Sequence, residues 1–398
     1  MEVLRRKLLV LAFFDEFVPL YTLFALWWQD NGISTARISL VFALWATVSL
    51  VLEIPSGALA DQIDRRLVIG AAYLLRMAGI ASFLIWPTLA GVVIGSILWA
   101  THDALASGAW EAMIYDELER LGEGDSYSAV MARLTQAAWV AVAVSAVVAW
   151  ALVGTLGITG VGWMSVALLM VALVLVLRLP KAPAVEEADE VSGFRAWVTT
   201  LRRGVSDART VPSLGRLVVL GSLLETLTLI EEYIPFLARR AGAADNTVPI
   251  ILGLAWLGFV AGAELAARRP DLARQTQAFT MVGAVVVAVV AIQGRGSPFL
   301  VVGLAFLHLS AQSSMVLTDA RLQERATGAV RATITSVRGF LTGVLTLLAF
   351  VMMSALDRGG DVRLGLFVLL VPALASAVLL WRWLPTALAS NSTDFQQR

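Results

Sequence analysis

The sequence contains no cysteine, which excludes disulfides and thiolate metal sites. Histidine is nearly absent too, with only His102 and His308, so no transition-metal centre is expected. Charge is sparse, at 15% Asp, Glu, Lys and Arg against about 25% in an ordinary soluble domain. Of the 30 basic residues only Lys7 and Lys181 are lysine, and the formal net charge is +0. No dense basic run offers itself to nucleic acid. Catalytic signatures are missing as well: there is no H-E-x-x-H, no G-x-S-x-G and no phosphate loop. No cofactor is expected. What fills the chain is apolar, at 58% of its 398 residues. A soluble globule could not hide that much apolar surface, so the solvent expected for it is lipid.

A helix crossing about 30 Å of hydrocarbon needs about 20 mostly apolar residues. By that measure the sequence predicts twelve spans: 8–29, 36–58, 67–86, 88–115, 128–153, 158–179, 213–237, 247–267, 276–293, 297–318, 331–355 and 363–384. The first is expected to stay in place rather than be cleaved, because Asp15 and Glu16 interrupt it and no small-residue cleavage site precedes Trp27. With the N-terminus inside, the outer loops hold only six of the 30 basic residues: Arg37, Arg239, Arg240, Arg295, Arg358 and Arg363. That asymmetry predicts both termini in the cytoplasm and, for a bacterial chain, a place in the inner membrane. The longest segment outside the spans is 180–212. Phe194, Trp197, Val198 and Leu201 fall there at helical spacing beside Arg195, Arg202 and Arg203, as in an amphipathic helix on the membrane surface. The expected organisation is therefore a six-helix bundle over 1–179, a linker over 180–212, a second bundle over 213–385 and a tail over 386–398.

The two bundles repeat one another weakly. A shift of 210 residues sets Asp15 on Glu225 and Gly32 on Gly242, and a shift of 203 sets Asp116 on Asp319. Two similar halves in one orientation predict a substrate path between them near the midplane, opened alternately to each side.

The inner end of the second span reads LEIPSGALADQIDRRLVIG. It resembles the loop between the second and third helices of the major facilitator superfamily, whose pattern is roughly G-x-L-A-D-R-x-G-R-K/R. Gly57, Leu59, Ala60, Asp61, Arg65 and Arg66 match, whereas Gln62 and Asp64 depart from it. The resemblance implies twelve helices in two pseudo-symmetric bundles and transport by alternating access. It also implies that the motif aspartate and arginine join an acid at the inner end of the fourth helix, here Asp116, in a gating cluster. Independently of the family, Asp61 and Arg65 are four apart and can meet on a short helix. The family's fourth-helix arginine is absent, since Ala104 stands four before Gly108. The glycine-proline signature of drug antiporters is missing from WVAVAVSAVVAWALVG.

Charges inside spans are costly, so each is a functional candidate. Asp15 and its repeat partner Glu225 are expected to flank a central cavity, with Glu232 on the face of Glu225; Glu16, about 100° round the helix from Asp15, is counted with them as a cavity candidate, and Glu231 points elsewhere. His102 and Asp103 sit mid-span in the fourth helix as a candidate relay or substrate anchor. Glu53 and Arg76 lie at similar depth on neighbouring spans and are expected to pair. His308 is deep in the tenth span, while Asp319, near Arg321 and Arg325, is expected in an inner latch. For each of these a plain packing hydrogen bond is the alternative. Trp45, Trp99, Trp110, Trp139 and Trp256 lie within spans, where they either line a cavity or face lipid.

Several acids and few bases at depth favour neutral or cationic ligands over anions. The leading expectation is proton-coupled export of small amphipathic compounds, drugs or metabolites, by a monomer. A second is import or exchange of a polar metabolite on the same fold, which would need Asn, Gln and Arg in the spans. A membrane enzyme or signalling scaffold has little support, because no segment outside the spans has room for a catalytic domain.

Overall fold

The computed structural model describes residues 2–179, 199, 202, 204–206, 211–294, 296–326 and 328–385. Helices α1 (Glu2–Glu16) and α2 (Phe24–Asp30) form the first span, joined through a 3-10 turn at Pro19–Thr22. Next come α3 (Thr35–Gln62), α4 (Arg65–Ile85) and α5 (Leu89–Arg120). α6 (Tyr127–Leu177) supplies two spans, divided at Gly157 with φ 66° and ψ 172°. The seventh span is α7 (Pro212–Thr226), a 3-10 stretch Leu227–Tyr233 and α8 (Ile234–Arg240). It is followed by α9 (Val248–Arg268), α10 (Arg274–Gln293), α11 (Ser297–Arg325), α12 (Gly328–Leu356) and α13 (Arg363–Trp383).

Among the described residues eleven helical stretches are long and apolar enough to cross a membrane, and Gly157 divides the 49-residue one into two. The chain is an all-α membrane protein of twelve spans. Phe279, Phe299, Val302 and Val51 are 60% exposed or more, an outward apolar surface that lipid covers. Short connections leave the turns to side-chain caps: Ser34 accepts from the N–H of Arg37, Asp64 from that of Arg66 and Thr88 from that of Gly91.

Because the spans alternate in direction, the loops near 63, 121, 178, 269 and 326 gather at the end that carries the termini. The loops near 32, 87, 157, 242, 295 and 358 gather at the other. These are called the basal and apical ends. The halves meet along α3 against α12 and α6 against α9.

The 210-residue correspondence is written into the backbone. α2 at Phe24–Asp30 maps onto α8 at Ile234–Arg240, and each follows a 3-10 break. Gly32 and Gly242 take φ of 83° and 85°, and the N–H groups of Gly32 and Gly242 donate to Gln29 and Arg239 at 3.0 and 3.1 Å. Both chain reversals use the left-handed conformation that glycine adopts without cost. Most of the linker's expected amphipathic helix, and the tail 386–398, fall outside the described residues.

Candidate functional site

Pro19 creates the first break. It offers no N–H and its ring collides with the carbonyl four residues back, that of Asp15. Arg76 of α4 takes up the released group: its Nη1 donates to the Asp15 carbonyl at 2.9 Å and to the Asp15 carboxylate at 3.2 Å. The guanidinium is 2% exposed and lies over the rings of Tyr21 and Trp99, 5.1 and 5.4 Å from their centroids. Serines of α6 serve the other freed groups, Ser165 accepting from the N–H of Leu20 and Ser145 donating to the Glu16 carbonyl. Polar partners on neighbouring helices are what permit such a break inside a membrane.

Beyond the two breaks, between the halves, lies a cavity of about 330 Å³. Its wall is largely aromatic. Tyr21 stacks on Trp99 at 5.2 Å, Trp28 meets Phe24 at 4.9 Å and Phe83 at 5.0 Å, and Phe42 of the first half meets Phe350 of the second at 5.3 Å. Trp45, Trp139 and Trp256 complete it. Four carboxylates share this wall, Glu16 and Asp103 from the first half and Glu231 and Glu232 from the second, and among the described residues no Lys, Arg, Asn or Gln does. Asp103 is held at both oxygens, by Trp45 Nε1–H at 3.1 Å and by His102 Nδ1 at 2.9 Å. Trp256 Nε1–H donates to Glu231 at 2.6 Å. The volume suits a small organic ligand, and mostly apolar lining with a few convergent polar groups is the usual make-up of such sites.

Sequence comparison agrees with the architecture. The family model of the Major Facilitator Superfamily matches residues 8–293. The chain belongs to the Major Facilitator Superfamily. It is thus a membrane transporter and not an enzyme. No curated protein matches the chain. Among solved structures it is similar to a point mutant of the nucleoside transporter NupG, at 12% identity and TM-score 0.77, covering 96% of this chain and 100% of that one. It is similar also to a D-xylose-proton symporter, at 13% identity and TM-score 0.70, covering 96% and 97%. A bacterial homologue of the human lysosomal transporter Spinster, inward-facing and occupied, follows at 14% identity and TM-score 0.71, covering 94% and 95%. At such identities the likeness speaks for the fold alone.

In this superfamily member the acids are distributed differently from the sequence expectation. Asp15 and Glu225 do not flank the cavity. Each sits just before its half's helix break and binds an arginine: Asp15 binds Arg76, and Glu225 accepts from Arg338 Nη2 at 2.9 Å and from Thr342 at 3.2 Å. Glu231, expected to point elsewhere, is on the cavity wall with Glu16 and Glu232. In the second half the cause is the 3-10 winding of Leu227–Tyr233, which resets the 100° spacing of a continuous α-helix; in the first half Asp15 and Glu16 are neighbours in α1, and Arg76 holds Asp15 while Glu16 fronts the cavity. Arg76 binds Asp15; the expected pairing with Glu53 involves a side chain that falls outside the described residues.

The loop motif also differs in detail. Asp61 and Arg65 do not share a short helix, because α3 ends at Gln62, Ile63 is extended, and Asp64 caps the start of α4. The side chains of Gly57 and Asp61 fall outside the described residues. Arg65 pairs with Asp116 and donates to the Ala112 carbonyl at 3.3 Å. Arg66 binds Asp64 at 2.6 Å and the Leu179 carbonyl at 2.6 Å, tying α4 to the end of α6. In the second half Asp319 pairs with Arg338, which thereby bridges it to Glu225. Arg321 turns away, to Glu324 and the Pro270 carbonyl. His308 is buried, bonded through Nδ1 to the Ala255 carbonyl at 3.1 Å and stacked on Phe259.

Sequence reasoning missed Arg338, which carried a usable signal as an arginine well inside an apolar span. It also missed the apical ties between the halves. Arg239 donates to Asp30 at 2.7 and 3.0 Å, Tyr233 to Ser39 at 2.8 Å and Thr35 to Asp357 at 2.5 Å.

Proposed function

We propose that the chain is a proton-coupled secondary transporter that exports small amphipathic organic compounds, drugs or metabolites, by alternating access. The single observation that carries this reading is the inter-half cavity, aromatic on most of its wall and bearing four carboxylates with no basic side chain. Aromatic faces take apolar bodies and attract cations. Uncompensated acids at membrane depth suit proton exchange. Glu16, Asp103 with His102, Glu231 and Glu232 are the candidates for coupling or substrate contact. Asp15 and Glu225, each fixed by an arginine, act as anchors for the helix breaks. Import or exchange of a polar metabolite is less favoured, because the wall lacks the amides and guanidinium groups such a solute needs.

At the basal end, the Arg65–Asp116 and Arg338–Asp319–Glu225 clusters, with Gly57, Asp61 and Arg66 of the loop motif, serve as the gate that the family resemblance implies. The working unit in this reading is a monomer in a bacterial inner membrane, with both termini cytoplasmic and the halves hinged across 180–212.

The test is reconstitution of the purified chain in liposomes with an imposed pH gradient and a trapped pH indicator. Amphipathic amines and neutral aromatic compounds are added in turn, expecting compound-dependent collapse of the gradient that Glu232→Gln reduces at least tenfold. A panel that leaves internal pH untouched, from protein whose folding is verified, would remove proton coupling.

A further inference from the structure

The charges around the cavity divide evenly between the halves. In the first half Glu16 lies within electrostatic reach of Asp15, Asp103 and Arg76, and the one guanidinium, Arg76, is paired with Asp15. That leaves a formal excess of two negative charges. In the second half Glu231 and Glu232 are adjacent on the wall and bring a second excess of two. The aromatic faces stand between and around these pairs, drawn from both halves, with Trp28 and Trp99 on one side and Trp256 and Phe350 on the other.

We infer that the cavity binds aromatic dications, one positive charge held by the Glu16–Asp103 side and the other by the Glu231–Glu232 side. This deepens the reading of the site as a port for amphipathic compounds and rests on it. A monocation neutralises the acids of only one half and leaves the other pair buried without a counter-charge. A flat dication satisfies both pairs at once and lays its rings against the indole faces, where cation–π attraction is strongest in a desolvated site. Because the two pairs belong to different halves, such a ligand bridges the bodies that must move, so substrate charge is read at the interface that transport opens.

The probes are methyl viologen and N-methyl-phenylpyridinium, which share a flat two-ring body and differ by one positive charge. Binding to the purified full chain in detergent, without any gradient, is followed by tryptophan fluorescence and by calorimetry. The expected result is at least tenfold tighter binding of methyl viologen. In the double variant Glu231→Gln/Glu232→Gln, methyl viologen should weaken at least tenfold and fall to within about threefold of the monocation. Equal affinities for the two probes in the unaltered chain overturn the inference, and that comparison needs no variant to fold. So does loss of both probes to the same extent in the double variant, which would mean a single cation site in the second half. The two proposals fail separately. Charge-selective binding without proton flux in liposomes refutes coupling and keeps the dication site. Proton flux driven by neutral compounds, with neither cation bound, does the reverse.

Discussion

Asp15 and Arg76 show how a buried charge comes to be retained. Neither is isolated: Pro19 frees a carbonyl, Arg76 captures it, and the same guanidinium neutralises the Asp15 carboxylate while lying on two rings. Removing the arginine leaves the carbonyl without a partner and the buried carboxylate without its counter-charge, with only the Tyr73 hydroxyl still bonded to it, a loss of about 3 kcal/mol or more. Removing only the negative charge keeps the carbonyl bond and an amide oxygen, at a cost of about 1–2 kcal/mol. Arg76→Met is therefore expected to destabilise the chain more than Asp15→Asn, read as thermal midpoints of the purified protein in detergent. Equal midpoints would mean that Arg76 does not hold the break. Much of this was legible in the sequence, since the expense of intramembrane charge marked Asp15, Arg76, Asp103 and Glu232. The partners were not. Nothing in the linear pattern says that a proline on another span has released a carbonyl within reach of Arg76.

Individual spans were easier to read than their interiors. Their number, order and approximate ends follow from apolar runs of about 20 residues, and all twelve are present. Helical phase beyond a break was not legible, since a fixed 100° spacing cannot foresee a 3-10 turn. That is why Glu231, expected off the face of Glu225 and Glu232, lies on the cavity wall beside Glu232 while Glu225 does not. Gly157 is the counterpart at a span junction. It sits at φ 66° and ψ 172°, a region open essentially to glycine alone, where a β-carbon costs about 1–3 kcal/mol. Gly154, three residues earlier, is helical and has open space where a β-carbon would go. Gly157→Ala should accordingly lower thermal stability, whereas Gly154→Ala should be neutral or slightly stabilising. If both variants matched the parent chain, the fifth and sixth spans would not be joined by this turn.

For the molecule as a whole, the question is which end is closed. At the apical end the halves are tied by Arg239 to Asp30 and Gln29, by Tyr233 to Ser39 and by Thr35 to Asp357. The repeat places Arg239 opposite the end of its own counterpart: α2 ends at Asp30 and α8 at Arg240. The tie thus joins equivalent helix ends across the pseudo-twofold. Partly exposed pairs contribute about 0.2–1 kcal/mol each, so removing Arg239, which serves several partners, should shift the open–closed balance by about 1–2 kcal/mol, or roughly five- to thirtyfold. The chain lacks cysteine, so one introduced at Leu252 on the cavity wall is the only reactive thiol. Arg239→Gln should raise its labelling by an impermeant reagent added from the apical side at least fivefold. Asp361 makes a control for pH. Its carboxyl is held at about 2, mainly by the hydrogen bond from Arg363, so the bond contributes above the ordinary carboxylate range and is lost only as pH falls through about 2. Acidifying from pH 8 to pH 5 should leave this anchor intact, and Asp361→Asn should not alter how labelling depends on pH over that interval. A labelling rate indifferent to Arg239→Gln would place the closure of this end elsewhere, in the apolar contact between α3 and α12.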